Sequence, residues 1–136
     1  FEENKTMNRK LGVLALFTLA FTICLGAFGA HALKKMVDVS AQQSFETGVR
    51  YQFYGSILQL VLSFRPEFSS NRFALWLRLF VAGMWLFSGS IYGLVLGKMM
   101  DFQVSFLGPI TPVGGILMIF SLMMIALLFQ RNPPQE

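Results

Sequence analysis

Four long apolar runs, each near the length that crosses a bilayer, dominate this chain and leave few folds open to it. A hydrocarbon core takes about 20 mostly apolar residues per helix. Residues 11–33, 45–64, 73–96 and 110–129 each meet that requirement. The connections KKMVDVSAQQ, RPEFSSN and GKMMDFQVSFLGP are short and are polar or carry Gly and Pro. Short connections join antiparallel neighbours. The chain therefore reads as all-α, an integral membrane four-helix bundle with one domain over 11–130. A polar tail (1–10) precedes it and a second tail (131–136) follows.

Charge supports this reading. Charged residues make up 13% and hydrophobic residues 54%, whereas a soluble domain carries about 25% charged residues. The net charge of +4 does not indicate nucleic-acid binding, which needs a basic stripe on a polar face. Here Lys and Arg flank the apolar runs. One end collects Lys5, Arg9, Lys10, Arg65, Arg72, Arg78 and Arg131, the other Lys34, Lys35, Arg50 and Lys98. This excess places both termini on the cytoplasmic side, with Arg78 snorkelling toward it. MNRK and AHA around the first run imitate a signal peptide, but the run is too long for an h-region and reads as a retained span. FEENKT, ahead of a natural-looking start at Met7, reads as an addition or upstream extension.

Antiparallel order brings GAFGAH, FETGVRYQ, FSGSIYG and LGPITPVGG into the non-cytoplasmic half. The candidate polar cluster there is His31, Glu46, Arg50, Tyr51, Gln52 and Thr111. Glu46 and Arg50, four apart with the acid first, suit a self-satisfied helical ion pair. Gln52, Ser56, Gln59 and Ser63 fall within about 40° of one helix face. They read as interhelical glue, because a pore also needs ionisable groups deep in the span. Gly26 with Ala30, and Gly89 with Gly93 and Gly97, follow the small-xxx-small rule for close helix contact. Thr111 suits an N-cap with Pro112 at the first helical position, and Gly114 and Gly115 bare the turn that follows.

His31 is the single histidine and Cys24 the single cysteine. A metal site needs three or four ligands, and no Ser–His–Asp set can be argued. No catalytic, cofactor-binding or metal residue is assigned, and Cys24 reads as a packing residue. His31 is expected to donate to another helix, with Glu46 and the Thr111 region as acceptors.

LGAFGAH (25–31), FETGVRYQ (45–52), LFSGSIY (86–92) and ITPVGG (110–115), in this order, resemble the domain-of-unknown-function-423 family. That family includes relatives of the mammalian transmembrane protein 256. The resemblance implies a four-span protein of the bacterial cytoplasmic (inner) membrane, or of the mitochondrial inner membrane in a eukaryote, and no assigned reaction. Members place a histidine shortly after the tyrosine–glutamine pair, where this chain has Gly55. This departure weakens any two-histidine chemistry. The expectation is a non-enzymatic structural or accessory protein, working through helix contacts with itself or with other membrane subunits in the lipid bilayer. The alternatives are an oligomeric channel or transporter, and a lipid- or quinone-binding protein using His31, Glu46 and Tyr51.

Overall fold

The computed structural model describes residues 7–133; residues 1–6, with Lys5, and the last three lie outside it. Four helices account for most of the chain: α1 (Arg9–His31), α2 (Val39–Ser63), α3 (Asn71–Met99) and α4 (Ile110–Arg131). Short 3-10 turns, Leu33–Lys35, Pro66–Ser69 and Ser105–Leu107, lie in the three connections. There is no strand among the described residues. Helix α1 packs on α2, α2 on α3, and α3 on α4.

Local chemistry sets the helix ends. Helix α2 starts ahead of its apolar run because Asp38 caps it, with Oδ1 accepting from Ala41 N at 2.8 Å. Helix α4 does not start on Thr111. Pro109 is its cap, with φ of −66° and ψ of −20° already helical, so Thr111 and Pro112 fall inside the first turn. Proline's fixed φ sets the helical geometry there and leaves Thr111 free for another partner. Helix α3 closes through Asp101, which has φ of 57°. Phe102 N then donates back to Gly97 O at 2.8 Å, a left-handed stop normally made by glycine.

By length and composition α1, α3 and α4 can cross a membrane. Helix α2 has 25 residues, enough for about 37 Å of helix, but its face toward the core is polar. Gln52, Ser56, Gln59 and Ser63 are all completely buried there. It lies between α1 and α3, which cover those groups.

Two apolar clusters fill the interior. Near the termini, Phe68 from the second connection packs with Phe73, Leu77, Phe80 and Leu128. Near the opposite end, Leu33, Phe45, Ile91, Tyr92 and Val95 pack together. Asn8 ties the terminal end. Its N donates to Ser63 O at 2.7 Å and its Nδ2 to Phe68 O at 3.0 Å, while its Oδ1 caps α1 through Leu11 N at 3.3 Å.

The tightest helix contact is between α3 and α4. A Cβ on Gly83 would lie 2.9 Å from Gly114 O, and one on Gly114 would run into the Phe87 backbone. The expected glycine faces differ from this. Gly93 and Gly97 are covered by Leu107 and Val104 of the third connection rather than by a helix. Gly89 faces open space. On α1 the close contacts are at Gly12 and Gly29, where a Cβ would lie 2.9 Å from Ser63 Oγ and from the Phe45 ring, while Ala30 is exposed and a Cβ on Gly26 would meet Val49 at 3.5 Å. Spacing gave the period correctly, but the side chain opposite each glycine decides its use. Gly114→Ala is therefore expected to destabilise the bundle by about 1–3 kcal/mol through forced backbone displacement. Gly89→Ala should leave stability unchanged or slightly raised, as checked by thermal unfolding in detergent.

Candidate functional site

The polar residues of α2 and of the helices packed on it divide into an inward set and an outward set. Helix periodicity makes the division, because residues of α2 at four- and three-residue spacing from Gln52 face α1 and α3 while the intervening positions face out.

The inward set is bonded helix to helix. Tyr92 Oη donates to Gln52 Oε1 at 2.6 Å, and Ser88 Oγ donates to Gly48 O at 2.8 Å. Both bonds join α3 to α2. Gln59 Nε2 donates to Leu11 O at 2.8 Å, joining α2 to α1. Ser56 and Ser63 return their hydroxyls to Gln52 O and Leu60 O of their own helix. The residues facing this stripe from α1 include Thr18 and Thr22, both buried and bonded to carbonyls four residues back. Thr111 is in the inward group too: its Oγ1 lies 2.5 Å from Ser90 Oγ, and Ser90 donates to Phe87 O. That pair fastens the start of α4 to α3. Gln52 Nε2 and Gln59 Oε1 have no protein partner.

The outward set is His31, Glu46, Arg50, Tyr51 and Tyr54, all exposed. His31 does not reach Glu46 or Thr111. Its Nδ1 lies 3.1 Å from Ala27 O in its own helix, a bond that requires the proton on Nδ1. The preceding turn is simply nearer than another helix. Glu46 and Arg50 form no ion pair; among the described residues the ion pair is Arg65–Glu67 at 2.9 Å. Glu46 Oε1 instead accepts from Gln42 Nε2 at 3.1 Å, and the same Nε2 donates to Gly29 O of α1 at 2.8 Å. Tyr51 packs edge-on against Phe87, with ring centroids 5.1 Å apart.

Two grooves open on either side of the outward face of α2. One, about 450 Å³, lies between α1 and α2 and has Glu46, Arg50, Phe53 and Tyr54 on its α2 wall and Gly26 and Gly29 on its α1 wall. The other, about 370 Å³, is apolar and lies between α2 and α4, with Gly55, Phe80 and Phe87 among its lining residues. Among the described residues no group of three His, Cys, Asp or Glu side chains is placed to hold a metal.

Sequence reasoning missed Gln42, Ser88, Ser90, Tyr92 and Gly83. Gln42 was hidden because the connection before α2 read as loop; the Asp38 cap is the signal that extends the helix over it. Tyr92 and Ser88 lie in the quoted FSGSIYG string, and their four-residue spacing puts them on one face. Removing the Tyr92 hydroxyl (Tyr92→Phe) strands Gln52 Oε1 in the interior and is expected to cost about 1–2 kcal/mol. His31→Ala, which leaves no buried group unpaired, should stay within about 0.5 kcal/mol; unfolding of both variants in detergent measures the difference.

Comparison with known proteins gives a consistent picture. A family model described as "Protein of unknown function (DUF423)" matches residues 25–115. A UPF0382 membrane protein of Bacillus subtilis, YwdK, is 37% identical over 117 residues, covering 83% of this chain and 89% of its own length. A UPF0382 membrane protein of Schizosaccharomyces pombe is 35% identical over 108 residues, 78% of this chain and 89% of that one. The UPF0382 inner membrane protein YgdD of Escherichia coli is 34% identical over 95 residues, 69% of each chain. No solved structure matches.

Proposed function

Because this chain belongs to the DUF423 family of membrane proteins, we propose that it is a non-catalytic accessory protein acting through helix contacts along the open face of α3. One observation carries this reading: Gly89 sits well inside a long membrane helix, and among the described residues nothing lies within 4 Å of where its Cβ would be. Around it, Leu75, Arg78, Ala82, Trp85 and Gly89 repeat at three- and four-residue intervals, the spacing of a helix-packing seam. Leu75, Arg78, Ala82 and Trp85 are exposed. Helices α2 and α4 pack on the other faces, and α1 reaches the edge of the seam, where Phe21 stacks on Trp85 with ring centroids 5.9 Å apart. Ala82 and Gly89 are two small residues seven apart, and they let a partner helix approach closely.

Further support comes from how the polar stripe is used. Its two hydroxyls and the Gln59 amide donate to carbonyls of α2 or α1, Gln52 Oε1 accepts from Tyr92, and Gln52, Ser56, Gln59 and Ser63 are fully enclosed, with Gln52 Nε2 left without a protein partner. Such a stripe holds helices together, which favours the accessory reading over a channel. The setting is the inner membrane, where the Escherichia coli relative is named.

Single cysteines at Ala82 and Gly89, in a Cys24→Ser background, test the proposal. Oxidation in native membranes is expected to give a disulfide-linked dimer if the partner is a second copy. A bifunctional thiol-to-amine reagent should give a larger adduct if the partner is another subunit. Gly89→Leu should abolish either product while the fold persists. A wild-type chain that is monomeric by native mass spectrometry and unlinked at both positions overturns the proposal.

A further inference from the structure

Arg50 stands out among the charges at the end of the bundle opposite the termini because it lies furthest from the end of its helix. It sits 11 residues inside α2, about 16 Å along the helix from its start. It is exposed and has no ion-pair or hydrogen-bond partner among the described residues. A guanidinium left unpaired on the outer face of the bundle favours an anionic partner. The natural partner, Glu46 one turn above, is turned toward Gln42. Both side chains instead border the groove between α1 and α2, whose α1 wall is stripped down to Gly26 and Gly29 and whose deeper α2 wall is Phe53 and Tyr54.

The order of chemistry along this groove is specific. From the membrane surface inward it presents a carboxylate (Glu46), then a guanidinium one turn or about 6 Å deeper, then aromatic rings. A phospholipid with a primary ammonium in its headgroup presents the complementary order: ammonium outermost, phosphodiester next, acyl chain deepest. We propose that this groove binds phosphatidylethanolamine of the non-cytoplasmic leaflet, with its phosphate on Arg50, its ammonium on Glu46 and one acyl chain over Phe53 and Tyr54. Guanidinium and phosphate meet through paired N–H donors. Glu46 supplies the selection, since a carboxylate beside the phosphate repels a headgroup of net negative charge and accepts charge-assisted hydrogen bonds from a primary ammonium, which a trimethylammonium, having no N–H, cannot give. Neither residue bonds across to another helix, so the site is separate from the polar seam that holds the bundle together.

The test is native mass spectrometry of protein released from nanodiscs holding equal phosphatidylethanolamine, phosphatidylglycerol and phosphatidylcholine. The wild-type chain is expected to retain phosphatidylethanolamine about tenfold over either competitor, the size of one charge-assisted contact. Arg50→Gln should lose retention of all three lipids, and Arg50→Lys should restore most of it. Glu46→Gln should keep lipid binding but lose the preference over phosphatidylglycerol. Melting temperatures within the wild-type range confirm that each variant is folded. Equal retention of the three lipids by the wild-type chain overturns the proposal, as does undiminished phosphatidylethanolamine on Arg50→Gln.

Discussion

The architecture depends on finding partners for the polar face of α2. A helix carrying two buried glutamines and two buried serines has no stable place in hydrocarbon alone, because each unpaired amide there costs free energy that water is not present to recover. Two flanking helices answer the need. A Leu11 carbonyl of α1 and the Tyr92 hydroxyl of α3 are aimed at the two glutamines, and that fixes the rotation of all three helices about their axes. The apolar clusters then fill the ends, while α4 is held to the outside of α3 by shape.

Glycine placement shows how closely shape alone can bind. At Gly83 and Gly114 the α3 and α4 backbones come nearly into contact, so dispersion between main chains takes the place of side-chain packing. Thr111 and Ser90 add the one polar fastening at the start of α4. The economy of that contact leaves much of α4 facing outward, with Ile116, Ile119, Phe120 and Met123 exposed. For a membrane helix such exposure is the normal condition against lipid rather than a defect in the core.

Much of this was legible in the residues. Run lengths located the helices. The Gln52–Ser63 stripe announced an interior use, since four polar side chains on one face must turn away from lipid. What remained hidden depended on distances that no spacing encodes. Glu46 and Arg50 have ideal helical separation, yet Gln42 intervenes with a bond that also spans to α1. Gly97 has a contact-face spacing, yet the third connection folds back over it with Val104. His31 draws attention because it is unique, but as the last residue of α1 it bonds the turn before it. Local order was readable; which element lies opposite a given face was not.

The Asn8 contacts bear on the order in which the bundle is made. Asn8 joins α1 to Ser63 and Phe68, residues synthesised after the whole of α1. Helix α1 is apolar enough to wait in lipid by itself, whereas α2 is not and gains its stability only once α1 and α3 flank it. The Asn8 contacts can form only once the connection carrying Phe68 is present to receive them. A translation product cut short before α3 would hold an unmatched polar helix in the bilayer, the kind of substrate that membrane quality control removes.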